Sequence, residues 1–396
     1  MHVVIEEKKY LLNEPFSSGG EGEVYKLTDD TSNLQAVKIY HSNVLSAERK
    51  QKVLSLCNAY LDNIDKFGGN NFAFPKNPAY EKNFLAFDEV VGFSMPLFTE
   101  CPHINDLNYD TNSSSFKEVN GKRFDNNTCI AFIYKLFEIV DKLHNSRIVL
   151  GDVNPGNILC QGTRNQLQPV LIDLDAVQYG NFDCTEFYKQ EFLDPDLERN
   201  GKNASDRYIY SSSSDIFSLT VLCYNLWVGI YPYFIRTRPS TLQSDPKLNN
   251  LSVLRYLVEG ADFLTSANKE YLKAQNQPHE SRLIDLKKID NVLYDFFVSI
   301  LVKGQRKNLL TFLPQQDKRR SSNPYMEKVV METGLGKVIN KLVGRPTTKK
   351  PYKPKYVIPK AKVITRTQIK DTDPDEFVKF LSGYGIDITQ GDIHVR

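Results

Sequence analysis

Asp152, Asn157 and Asp173 are the side chains whose types and spacing could do chemistry. Asp152 and Asn157 stand five apart in LHNSRIVLGDVNPGNILC, residues 143–160, where Pro155 and Gly156 interrupt any helix and short apolar runs flank the loop. Such a loop can aim a carboxylate at an acceptor hydroxyl while an amide oxygen binds a divalent metal; a turn built from Asn and Asp without chemistry is the alternative. Asp173 follows an apolar run in VLIDLDAVQ, residues 170–178. Asn157 and Asp173 together make an oxygen pair suited to Mg2+, which fills its remaining positions with water and phosphate oxygens. Asp175 is read as a turn residue. Lys38 sits within the apolar run AVKIY, where its charge needs a carboxylate and an anionic ligand unless it snorkels from an edge strand. SSGGEGEVY, residues 17–25, is rich enough in glycine for backbone amides to approach phosphate oxygens, and it also suits a plain hairpin turn. No G-x-x-x-x-G-K pattern occurs, so a P-loop is excluded.

The elements that must position these residues fall into two styles. The first hundred residues read as antiparallel strands, VVIEEKKYLL, EVYKL and QAVKIY, with a polar turn at Asp29 to Asn33. A helix is expected over Leu45 to Ile64, then short strands around Phe72 to Phe74 and Phe84 to Met95. Beyond Asp106 helices dominate, with a wide apolar face over Thr128 to His144 and further helices between Asp215 and Lys303. Ile216 to Ile235 is the one run that resembles a membrane span, but Ser218, Thr220, Asn225, Gly229 and Pro232 mark it as a buried core helix.

The composition, 396 residues with 41% apolar and 25% charged, describes a soluble globular chain. Its 50 basic and 48 acidic residues give +2, which argues against nucleic acid as the main ligand. Six cysteines without a C-x-x-C pair argue against zinc and disulfide frameworks. The amino terminus shows no secretory signal, so a reducing, cytoplasmic location is expected. Residues 336–370 carry eleven Lys or Arg and no acid, with Pro346, Pro351, Pro354 and Pro359, and read as an extended linker. One short helix is expected around Phe377 to Leu381, capped by Asp373 and Pro374.

In chain order SSGGEGEVY, AVKIY, LHNSRIVLGDVNPGNILC and VLIDLDAVQ resemble the protein kinase family over roughly Tyr10 to Glu332. The resemblance implies an α+β, bilobal fold: a small antiparallel β lobe at 1–97, a larger mainly helical lobe at 98–335, the basic linker at 336–370 and a short segment at 371–396. It implies ATP and Mg2+ as cofactors. Ser17, Gly19, Gly20, Gly22 and Val24 would form the phosphate loop, with Ser17 replacing its first glycine. Lys38 would hold the nucleotide phosphates, with Glu48 as its helix partner. Asp152 would be the catalytic base, and Asn157 and Asp173 the metal ligands, the latter in D-L-D where the family has D-F-G. Val24, Ala36, Met95, Leu97, Leu159 and Ile172 would line the adenine slot. Asp215 would anchor the catalytic loop, and Arg320 in DKRRSS would pair with Asp196. GDVNPGNIL, LIDLDAVQ, FAFPKNPAY and VGFSMPLF look more narrowly like bacterial kinase-like proteins of the helix-hairpin-helix-associated type.

The expected activity is therefore transfer of the γ-phosphoryl group to Ser or Thr of a protein substrate. A nucleotide-binding pseudokinase scaffold and a nucleotidyl transferase on the same fold are the alternatives, since Gly151 and Asn154 replace an arginine and a lysine of the family pattern. By resemblance, a metal-dependent phosphatase and a von Willebrand A-type protein are expected partners, with no membrane contact. The basic linker is read first as a solvated tether, with docking onto the acidic surface of the body and contact with nucleic acid or anionic partners as the alternatives.

Overall fold

The computed structural model describes residues 1–27, 35–82, 88–163, 166–184, 189–203, 206–233, 247–260 and 277–313, and two strands near the carboxyl terminus. The turn expected at 29–33, the linker, the helix around Phe377 and Arg320 lie outside the described residues. Two compact units are present: Met1–Phe98 with Lys350–Arg396, and Thr99–Lys349.

In the first unit, alternating apolar residues build a seven-stranded antiparallel sheet in the order β2-β1-β6-β7-β5-β4-β3. Its strands are β1 (His2–Ile5), β2 (Lys8–Leu11), β3 (Ser17–Ser18), β4 (Gly22–Leu27), β5 (Gln35–Tyr40), β6 (Asn77–Lys82) and β7 (Asp88–Pro96). VVIEEKKYLL is thus two strands rather than one. Glu6 and Glu7 both take positive φ, 48° and 69°, which is the two-residue turn whose twist suits a hairpin. In β5, Val37 and Ile39 join the core formed by Val3, Ile5 and Tyr25, while Tyr40 packs with Val53, Leu54, Cys57 and Phe93. Alternation therefore places Lys38 on the same face as Tyr40, toward helix α1 (Ala47–Asp62). Ser46 caps α1 by accepting a hydrogen bond from the Arg49 amide at 3.1 Å. Phe72 to Phe74 is not a strand. Phe72 and Phe74 instead pack on Phe67, with ring centroids 5.6 and 4.8 Å away, and extended pairing resumes at β6.

The second unit does not begin as helix. Two small hairpins, β8 (Tyr109–Asp110) with β9 (Ser115–Phe116) and β10 (Glu118–Val119) with β11 (Lys122–Arg123), precede helix α3 (Asn126–His144); helix α2 (Ile64–Phe67) belongs to the first unit. Asp125 caps α3 through the Thr128 amide at 2.7 Å. Helix α4 (Pro195–Asn200) is short, and helix α5 (Ser212–Val228) is buried from Ser214 to Val228. Gly229, in the left-handed region, ends α5 as a core helix. Among the described residues no helix is long and apolar enough to cross a membrane. At the carboxyl end Ile386–Thr389 and Asp392–Val395 form an antiparallel hairpin, β16 with β17. The class read from sequence, α+β with a small antiparallel sheet followed by a larger mainly helical part, is the one observed.

Arg306 ties the segment before α4 to the end of the second unit. Its Nε and one Nη each lie 2.8 Å from the buried Asp194 carboxylate, and the same Nη is 3.4 Å from Asp196. Asp196 is also paired with Arg199 at 2.8 Å, so Arg306 is its more distant arginine, and the main partner of Arg306 is Asp194. Burial alone would lower the Arg306 pKa, but the Asp194 carboxylate more than reverses this and holds it above the ordinary range. Removing Asp194 leaves a buried guanidinium uncompensated, so Asp194→Ala is expected to cost about 3–5 kcal/mol in urea unfolding of the full chain. Asp196→Ala removes a half-exposed partner and is expected to cost no more than about 1 kcal/mol. Equal costs for the two would contradict this ranking.

Candidate active site

The loop that carries Asp152 hangs from a carboxylate on α5. Asp215 Oδ2 accepts the Leu150 amide at 2.7 Å and lies 2.9 Å from His144 Nε2, while Oδ1 accepts the Gly151 amide at 2.9 Å. Strand β12 (Ile148–Val149) enters this loop and pairs with β15 (Gln178–Tyr179). The loop leaves through a short turn at Pro155–Asn157 into β13 (Ile158–Thr163), which pairs with β14 (Gln166–Leu171). Its shape requires Gly151, which has φ +70°; a Cβ there would lie 2.2 Å from Cys184 Sγ.

Asp152 is held by two amide side chains. Asn154 Nδ2 donates to its Oδ1 at 2.9 Å, and Asn157 Nδ2 donates to its Oδ2 at 3.2 Å and to its backbone oxygen at 3.0 Å. Asn154 Oδ1 in turn accepts the Gly156 amide at 2.8 Å, which fixes the turn. The Ile172 amide donates to the Asn157 carbonyl at 3.0 Å, and Asp173 follows with φ 54°, its own carbonyl accepting the Ala176 amide at 3.1 Å. Asp152, Asn154, Asn157, Ile172 and Asp173 consequently line one recess. Asn157 uses its amide nitrogen on Asp152, so its carbonyl oxygen is the atom left to join Asp173 as a metal ligand. Two oxygens with one negative charge fit Mg2+ that takes its other ligands from phosphate and water. Among the described residues no group of three His, Cys, Asp or Glu could hold a metal on its own. Leu159 does not join the recess lining; it is buried in β13 opposite Val170.

The remaining expected residues lie in the first unit. Ala36 and Met95 are cross-strand partners of β5 and β7, Val24 pairs with Lys38, and Leu97 follows β7 directly. In the glycine-rich turn Ser17 belongs to β3, and the Gly19 amide donates to Gly22 O at 2.9 Å. Gly22 is needed for packing: a Cβ there would lie 2.3 Å from Ile39 O. Lys38 is buried, but Glu48 is exposed in the first turn of α1 and does not supply its carboxylate. Glu21 in the glycine-rich turn does, at 3.8 Å, and also pairs with Arg49 at 2.8 Å. Sequence reasoning missed Glu21, Arg49 and the amide clamp of Asn154. The signal for the first was an acid inside GGEGEV with Arg49 beside the expected Glu48.

Gly151→Ala is expected to lower stability by about 2–4 kcal/mol in thermal or urea unfolding, through the clash with Cys184 and the left-handed backbone. Adding Cys184→Ala removes the Sγ contact but keeps the Cys184 Cβ at 2.9 Å, so it should recover only part of that cost. No recovery would place the strain elsewhere.

No protein-family model matches the chain. A stretch of 166 residues, 39% of this chain, is 25% identical to CDPK-related kinase 3 of Arabidopsis thaliana and covers 26% of that protein. The chain thus spans about a quarter of the length of the curated relative it matches. Among solved structures it is similar to the autoinhibited serine kinase domain of the giant muscle protein titin, with 16% identity and a TM-score of 0.47, covering 82% of this chain and 87% of that one. It is also similar to titin kinase with its flanking domains, with 17% identity, a TM-score of 0.45, and coverage of 82% and 52%.

Proposed function

We propose that this chain is an ATP- and Mg2+-dependent protein kinase that transfers the γ-phosphoryl group to Ser or Thr hydroxyls of a protein. The observation that carries the reading is the Asp152 carboxylate, oriented by Asn154 and Asn157 in the recess that also contains Asp173. Asp152 takes the proton of the acceptor hydroxyl as that oxygen bonds to the γ-phosphorus and the bond to the β–γ bridging oxygen breaks, which releases ADP. Asn157 and Asp173 are the proposed metal ligands. Mg2+, when bound, offsets phosphate charge. Lys38 is the proposed phosphate ligand of the first unit, and Val24, Ala36, Met95, Leu97, Leu159 and Ile172 are the proposed adenine contacts. The protein is proposed to be cytoplasmic, and a metal-dependent phosphatase and a von Willebrand A-type protein remain the proposed partners.

The pseudokinase reading draws on Asn154, which puts a neutral amide where the family pattern has lysine. Incubation with γ-labelled and, in parallel, α-labelled ATP plus Mg2+ and a general protein substrate separates the readings. Label from the γ position alone is expected, falling about 10²- to 10⁴-fold in Asp152→Asn while ATP binding persists. Incorporation of α label would instead mark nucleotidyl transfer. Retained ATP binding with neither label would mark a scaffold.

A further inference from the structure

Lys38, Arg49 and Glu21 form one charge cluster over the ring of Tyr40. The Lys38 ammonium is 5.6 Å from the ring centroid and the Arg49 guanidinium carbon 5.4 Å. Glu21 faces both cations. Its Oε1 and Oε2 accept from the two Nη atoms of Arg49 at 2.8 and 3.1 Å, and Oε2 is 3.8 Å from Lys38 Nζ. The cluster draws on three elements: the glycine-rich turn, β5 and the first turn of α1. The backbone of the turn is fastened at the same place. The His41 amide donates to Glu21 O at 3.0 Å, and His41 Nε2 lies 3.1 Å from Gly19 O. Both cations are largely withdrawn from solvent, with side-chain exposures of 9% and 18%.

We propose that Arg49 is a second phosphate-binding cation beside Lys38, and that Glu21 is a resident anion that occupies this pair and opposes the phosphates of a nucleoside triphosphate. The inference rests on the reading of Lys38 as the phosphate ligand. A guanidinium fork engages paired oxygens of a carboxylate or a phosphate with the same geometry, and Glu21 already presents that pair to Arg49. A phosphate arriving at Lys38 finds the Glu21 carboxylate 3.8 Å from the ammonium, so it is opposed by a like charge if the carboxylate stays and must break the pairs with Lys38 and Arg49 if it swings away. The glutamate that the helix was expected to contribute is replaced by an arginine from the helix and an acid from the loop. The cation count at the phosphate site rises, and its occupancy becomes conditional on Glu21.

Calorimetric titration of the full chain with ATP, adenosine and inorganic tripolyphosphate, at fixed Mg2+, tests this. Glu21→Gln is expected to tighten ATP and tripolyphosphate about fivefold and to leave adenosine unchanged. Arg49→Met is expected to weaken both phosphate ligands about tenfold, again with adenosine unchanged, and Arg49→Lys to recover part of that loss. The inference is overturned if Glu21→Gln leaves ATP unchanged or weakens it, or if Arg49→Met leaves ATP unchanged. Equal losses for ATP and adenosine also overturn it, since they mark a purely structural cluster. Tripolyphosphate binding that responds to both variants, without any adenosine binding, supports the cation pair and removes the kinase reading. ATP binding with γ transfer that neither variant alters keeps the kinase reading and removes this inference.

Discussion

The buried carboxylate of Asp215 is the constraint on which the loop that carries Asp152 depends. It is 1% exposed, and an ionised group so placed is tolerated only when donors surround it. The amides of Leu150 and Gly151 and the ring of His144 meet that need, so the end of α3 and the start of the loop are both fixed by one side chain on α5. α5 can act as the fixed point because it is buried along nearly its whole length, with Trp227 and Tyr224 among the largest enclosed side chains. The direction of the Asp152 carboxylate follows from this: its backbone starts where Asp215 has placed it, and the two asparagines fix the rest.

The segment between Asp173 and α5 is held by different means. Cys184, Leu193, Leu197 and Tyr210 form an apolar cluster with Val149 packed against it, so the segment adheres to the strand that enters the loop of Asp152. Lys247 adds a buried cation, 2.9 Å from Gln190 O, 3.2 Å from Leu193 O and 2.9 Å from Glu198. Arg306 adds its bidentate grip on Asp194. With glycine at 151 no arginine side chain precedes Asp152, and among the described residues these contacts hold the segment. The close approach of Cys184 to the Gly151 backbone uses the space an arginine stem would take.

Much of this was legible because local pattern and tertiary role coincide. The 3.6-residue apolar period identifies α3 and α5, and the apolar runs bearing Lys38 and Asp173 identify their strands. Asp152, Asn157 and Asp173 meet in one recess because a hairpin, β13 with β14, joins the loop to the residue before Asp173. The misses share a physical cause. Helical spacing placed Glu48 near Lys38 in sequence but not on a face that meets it, whereas Glu21 reaches it through the pairing of β4 with β5. Arg306 and Asp194 are 112 residues apart, and no local pattern reveals which arginine closes such a pair. The Glu6–Glu7 turn hid because its left-handed residues lack the usual Asn-Gly chemistry.

The two asparagines around Asp152 also shape how charge is distributed in the proposed reaction. Asn154 and Asn157 orient the carboxylate with neutral donors, so this loop supplies geometry while adding no positive charge near the transferred group. A lysine two residues past the carboxylate would have supplied both. Phosphoryl transfer depends chiefly on positioning and on offsetting negative charge, so a loop that provides only the first leaves the second to other groups. In the proposed reaction a metal held by Asn157 and Asp173 would be one such source, and Lys38 and Arg49 of the first unit would be the other. There the helix contributes Arg49 where a carboxylate was expected, and the acid comes from the glycine-rich turn. The neutral amide at 154 and the arginine at 49 are thus two departures in charge from the expected pattern, one in each unit.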